Sequence, residues 1–153
     1  LPEQRGYQRP ADTVLADAGA RHRTYSALLS MLGLANAHRD NLHRRGLSDR
    51  DIAQLGYKSM PMVNNSELVQ HVLETGADPQ GVPGFFRTKA GWWSFVHQRS
   101  GVLIPVRDMR GRIQGLQLRL DNTENRKFRW ISSVELTGGC GSLHTWPESR
   151  VSW

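Results

Sequence analysis

A single cysteine, Cys140, stands in 153 residues. An internal disulfide is therefore excluded, and the chain suits a reducing compartment, with the cytoplasm as the expected location. No apolar run approaches the roughly 18 residues of a membrane-spanning helix, so no membrane partner is expected. The first ten residues, LPEQRGYQRP, have no apolar core and do not read as a secretion signal. Internal repeats are lacking. Carboxylates are scarce beside the bases: 14 Asp plus Glu stand against 20 Lys plus Arg, a net charge of +6. All but Lys58, Lys89 and Lys127 of those bases are arginine. Arginine excess with five tryptophans suits phosphate and base contacts. A merely solubilising surface is the plain alternative.

Signals for catalysis are equally sparse. The run Gly138-Gly139-Cys140-Gly141-Ser142 lacks the Gly-Lys-Ser ending of a phosphate-binding loop and reads better as a mobile connector. Cys140 and His144 have the spacing of half a zinc site, but His22, His38, His43, His71 and His97 are scattered singly. No Gly-x-Ser-x-Gly elbow occurs. Asp108 is the best-placed acid, yet a turn aspartate more often caps its own loop. Two-metal phosphoryl transfer needs clustered carboxylates. No catalytic residue, no metal ligand and no cofactor is therefore assigned within the chain.

What the chain does hold is patterned. Residues 1–10 read as a flexible arm. Ala11 to Leu34 has Val14, Leu15, Ala18, Tyr25, Leu28, Leu29 and Leu32 at helical spacing, with a basic cluster Arg21-His22-Arg23 expected on a solvated face. Asn36 is placed to cap a short helix ending at Gly46. Ser48 opens another with a capping-box form, Ser48-Asp49-Arg50-Asp51, closed by Gly56. This pair imitates a helix-turn-helix, but Pro61 arrives where a recognition helix should run on. Ser66 is placed to cap a fourth helix, Glu67 to Thr75. Phe85-Phe86-Arg87 is expected to pair with Trp92 to Phe95 across an Ala90-Gly91 turn, with these aromatics in the core.

Three period-two runs follow: Val102 to Val106, Arg112 to Leu120 and Lys127 to Ile131. The Asp108 to Gly111 turn joins the first two as a hairpin. On the second run Arg112, Gln114 and Leu116 leave one face, and Ile113, Gly115, Gln117 and Arg119 the other. On the third, Lys127 and Arg129 oppose Phe128 and Trp130. Arg107, Arg110, Arg112, Arg119, Arg126, Lys127 and Arg129 crowd within 23 residues, a basic antiparallel ribbon and the candidate nucleic-acid or nucleotide contact.

The motifs Ile104-Pro105-Val106-Arg107-Asp108, Gly111-Arg112-Ile113 and Lys127-Phe128-Arg129-Trp130-Ile131-Ser132-Ser133 resemble the bacterial-type DNA primase catalytic core. That family carries P-I-R-D, G-R-V-I-G-F-G-G-R and P-K-Y-L-N-S in the same order. His43 to Ser48 with Gly56-Tyr57 resembles its upstream R-G-L-S helix. The G-V-P-G-F run at 81–85 and R-W-I-S-S are similar to primase-like replication proteins of phages and mobile elements. By this resemblance Arg119 and Lys127 fall on positions attributed to template or nucleotide contacts, which suits phosphate neutralisation beside a carboxylate–metal centre. Arg107 falls on the P-I-R-D arginine, for which a structural ion pair with Asp108 or a neighbour is an equal alternative. Gln117-Leu118 replaces a Gly-Gly pair, and Arg126 replaces a proline.

The resulting expectation is an α+β fold, a helical part (11–80) packed on a small, mostly antiparallel basic sheet (81–147), with 148–153 beginning a Toprim strand. The function implied is the nucleic-acid-binding half of a primase core. Single-stranded DNA template and ribonucleotides are the expected partners, with a helicase as a further one. Metal-holding acids for Mg²⁺ or Mn²⁺ are expected in a Toprim domain beyond Trp153, leaving these residues inactive alone. The alternatives are a DNA-binding accessory module without polymerase activity and a replisome protein-interaction domain.

Overall fold

The computed structural model describes residues 14–97, 99–121 and 128–141. The first helix, α1 (Ala18–Ser30), is shorter than its apolar spacing suggests. Asp17 has an extended backbone and its carboxylate accepts the Ala20 amide at 2.8 Å, which sets the start. Ahead of it the Ala16 amide is taken by Gly81, so residues 14–17 run as a strap instead of a helical turn. Tyr25, Leu28 and Leu29 face the core as expected. Arg21 does not stay on a solvated face; it is buried against the sheet.

In α2 (Asn36–Arg44) the cap position belongs to Ala35, not Asn36. No local side chain supplies the cap; the Ala35 amide donates to Ser59 Oγ at 2.8 Å, a partner 24 residues away. The helix α3 (Asp49–Leu55) has the full capping box, with Ser48 and Asp51 exchanging side-chain and backbone bonds, and Gly56 ends it in the left-handed region at φ 77°. Two residues, Lys58–Ser59, then form the edge strand β1. The next helix, α4 (Asn65–Glu74), starts before the expected Ser66 cap. Asn65 is buried and its Nδ2 donates to the carbonyls of Pro61 and Phe95, drawing the first turn inward. Asn64 takes the left-handed backbone that precedes it.

The strands follow: β2 (Phe85–Arg87), β3 (Trp93–Phe95), β4 (Gly101–Arg107), β5 (Ile113–Leu120) and β6 (Phe128–Trp130). β2 and β3 form the expected hairpin, with Phe85 opposite Phe95. The larger sheet has the order β1-β4-β5-β6, and every strand pair among the described residues is antiparallel. The architecture is α+β.

One hydrophobic cluster joins both parts of the chain. Tyr25, Leu28, Val69 and Val72 come from helices, and Phe85, Phe95, Leu103, Leu116 and Leu118 from strands. Phe85 and Phe95 meet edge to face at 5.0 Å. Gly84 sits against them at φ 103°, where an added Cβ would lie 2.7 Å from Phe95. The Tyr25 hydroxyl donates to the Pro83 carbonyl, and burial pushes its ionisation well above the usual value. Trp93 is buried under the Arg87 guanidinium, 4.4 Å from the ring centre, whereas Trp92 is exposed.

The glycine-rich segment is packed, not a loose connector, as far as it is described. Ser133 Oγ donates to the Phe85 carbonyl, and the Gly84 and Cys140 amides reach the same oxygen. No helix among the described residues is long and apolar enough to cross a membrane. The expected arm (1–10), His144 of the Cys140–His144 spacing and the start of a Toprim strand (148–153) lie outside the described residues.

Candidate nucleic-acid interface

The β4–β5 hairpin sets the direction of each basic side chain. Its register runs from Gly101 opposite Leu120 to Val106 opposite Gly115, then shifts at Arg107. On β5, Gln114, Leu116, Leu118 and Leu120 take the face that α1 covers, as the Gln114 bond to the Ala18 carbonyl shows. The opposite face carries Gln117 and Arg119. On β6, Phe128 stands opposite Arg119, Trp130 opposite Gln117, and Arg129 opposite Leu118. Arg119 therefore shares a face with Phe128, which is 47% exposed, and Arg129 leaves the other side.

At the Arg119 end of the sheet a cleft of about 750 Å³ opens between α2 and the strands. Arg44, Arg45, Asn41 and His38 line it from the helix, and Arg119 and Asp121 from the end of β5. Leu42, Val102 and Leu120 contribute apolar wall. Arg44 and Arg45 sit at the C-terminal end of α2, where a positive charge also complements the helix dipole. Arg45 Nε donates to Asn41 Oδ1, which steers the fork along the helix.

Asp49 joins α2 to α3 by accepting from Arg39 Nη1 at 2.8 Å and pairing with His43 Nε2 at 2.8 Å. The His43 bond and then the Arg39 bond hold this carboxyl below its usual range. Both bonds engage side chains outside the cleft, while Arg44 and Arg45 line it.

The other expected contact residues are dispersed. Arg107, Arg110 and Arg112 gather at the turn end of the hairpin. Arg112, just before β5, is seven positions from Arg119, about 23 Å at ~3.3 Å per residue. There Asp108 organises the turn, accepting the Arg110 and Arg112 amides through Oδ1 and Arg112 Nε through Oδ2 at 2.8 Å. Desolvation pushes the Asp108 carboxyl up, but those amides and the Arg112 guanidinium outweigh it and hold it below the usual value. Arg107 does not pair with Asp108; its Nη1 donates to the Gly111 carbonyl. Arg110 is exposed on the turn. Arg129 lies with Arg99, Met60 and Leu118 on the far side of the sheet. Arg126 and Lys127 lie outside the described residues.

Of the ribbon arginines among the described residues, Arg119 alone lines the cleft. Arg44 and Arg45 are its partners, and they were not among the expected contact residues. The signal that marks them is the basic run His43-Arg44-Arg45 entering the R-G-L-S motif. No group of three or more His, Cys, Asp and Glu side chains among the described residues is arranged to hold a metal ion. These residues therefore do not fit a metal centre of their own.

Comparison with known proteins adds one decisive observation. No family model matches the chain, and no curated protein does. Among solved structures, the RNA polymerase domain of Mycobacterium tuberculosis primase DnaG, in complex with a double-stranded DNA oligomer with a 6-nucleotide overhang, matches 78% of this chain at TM-score 0.59 and 16% identity. The chain shares the fold of part of a primase RNA polymerase domain. The same DnaG domain by itself matches 78% of the chain at TM-score 0.57 and 15% identity. Its complex with the double-stranded DNA GACCGGAAGTGG matches 76% at TM-score 0.54 and 19% identity. The chain spans about 40% of the length of these DnaG chains, 40%, 41% and 38% respectively. The shared fold agrees with the α+β expectation.

Proposed function

We propose that this chain is the nucleic-acid-binding part of a primase-like catalytic core, holding single-stranded DNA template and incoming ribonucleotide for primer synthesis. The observation that carries the reading is the convergence of Arg44, Arg45 and Arg119 on one cleft, with exposed Phe128 on the same face as Arg119. Arginine forks match phosphate oxygens, and an aromatic face accepts an unstacked base. The fold likeness to DnaG domains solved with DNA supports the same class of partner. Catalytic Mg²⁺ or Mn²⁺ would be held by carboxylates of a Toprim domain working beside this cleft. The G-V-P-G-F and R-W-I-S-S motifs support a replication protein of a phage or mobile element as the setting.

Fluorescence anisotropy with a labelled oligothymidine tests the reading. Binding is expected at low salt, with log affinity falling by about 0.7 per unit of log salt for each phosphate neutralised. Arg45→Ala and Arg119→Ala are each expected to weaken binding and flatten that slope. Arg110→Ala, at the far end of the hairpin, is expected to change it less. Affinity indifferent to salt, or equal loss from Arg110→Ala, would overturn the assignment of the cleft.

A further inference from the structure

The side-chain hydrogen bonds that Arg39 and His43 of α2 make go to Asp49 of α3, not to the sheet. His38 is different. Its ring is 15% exposed and spans two other elements. Nδ1 lies 2.7 Å from Ser59 Oγ on β1, and Nε2 lies 2.9 Å from Asp121 Oδ1 just past β5. We propose that His38 is the positioning residue of the cleft, an imidazole clasp that holds α2 against the sheet so that Arg44 and Arg45 face Arg119.

One arrangement satisfies every hydrogen bond around it. Ser59 Oγ accepts the Ala35 amide hydrogen, so its own proton is available to His38 Nδ1. The imidazole then carries its hydrogen on Nε2 and donates it to Asp121. Ser100 Oγ donates to the other Asp121 oxygen at 2.7 Å. Each described group in the chain of bonds thus has a complementary partner. Among the described residues Asp121 is also the one carboxylate that lines the cleft. With both oxygens engaged, it is turned toward protein donors, which reduces its competition with an incoming phosphate for the arginines. A site of this kind loses affinity when its supporting contacts loosen, even though the contact residues remain.

This inference rests on the DNA-binding reading, and the experiment separates the two. Oligothymidine binding is measured for the full chain and for His38→Ala, Ser59→Ala, His38→Gln, Arg45→Ala and Arg119→Ala. His38→Ala is expected to weaken binding about tenfold and to lower the salt slope. Ser59→Ala, which cuts one end of the clasp and keeps the imidazole volume, should move both quantities the same way. The amide of His38→Gln reaches toward Asp121 and should recover most of the affinity. Combined with Arg45→Ala, the His38→Ala loss should be smaller than the product of the single losses; combined with Arg110→Ala it should multiply. Wild-type affinity and slope in both clasp variants, while Arg45→Ala and Arg119→Ala weaken binding, would overturn the positioning role and leave the cleft reading intact. A multiplicative loss with Arg45→Ala would also overturn it. No binding by the wild-type chain at low salt would overturn both.

Discussion

The Arg21 guanidinium in α1 donates through Nη2 to Gln114 Oε1 in β5, across 93 residues of chain. Its Nη1 donates to the Ala16 carbonyl at 2.9 Å, and Gln114 Nε2 returns a bond to Ala18 at 3.1 Å. Both side chains are buried, and burial lowers the Arg21 ionisation below its usual value. The pair fixes the first helix on the middle of the sheet.

Arg21→Ala should therefore destabilise the fold. It leaves the Gln114 oxygen buried without this donor, a loss of about 1–3 kcal/mol. Urea denaturation is expected to show a lower midpoint with an unchanged slope. An unaltered midpoint would show that the buried pair contributes nothing to stability.

Phe128→Ala separates stacking from charge. It should cost about 1–3 kcal/mol of oligonucleotide affinity if Phe128 receives a base. The salt slope should stay at its wild-type value, because no phosphate partner is lost. A reduced slope without loss at low salt would contradict base stacking.

Acid should loosen the α2–α3 junction and the hairpin turn. The Asp49, Asp51 and Asp108 carboxyls are all lowered in the folded chain, Asp51 chiefly by the Ser48 amide. A carboxyl lowered on folding stabilises above its unfolded value of about 3.9 and loses that contribution as pH falls through its folded value. Denaturation midpoints should thus be level near neutrality and decline below about pH 4. Asp51→Asn should make the decline shallower. Asp49 and Asp51 are exposed, so their share of the decline should also shrink in high salt.

Primer synthesis tests the division of labour. Residues 1–153 should incorporate no labelled ribonucleotide on a mixed-sequence single strand with Mg²⁺ or Mn²⁺. The physical reason is that the described residues bring no carboxylate cluster to the arginine cleft. Adding a Toprim domain that carries the acids should permit dinucleotide formation. Product from these residues alone would locate catalysis within them.

What was legible in the amino-acid sequence is what short-range physics controls. The Ser48 capping box, the Gly56 helix end, the Asp108 turn and the alternating runs of β5 and β6 each depend on residues a few positions apart. Face assignment within each strand followed from the same alternation, which separated Arg119 from Leu116 on β5 and Arg129 from Phe128 on β6; that Arg119 stands beside Phe128 came from the pairing register. Arg119 was also marked by its motif. Tertiary structure decided the rest. Arg21 reads as a solvated base until β5 offers Gln114, and Ala35 has no local cap until Ser59 approaches. The cleft needs Arg45 and Arg119, which are 74 positions apart, and its clasp needs His38 to meet Asp121 across 83. Periodicity describes one element at a time. Which faces meet is settled only when the helices bury their apolar sides on the sheet, because that packing brings distant polar groups within hydrogen-bonding reach.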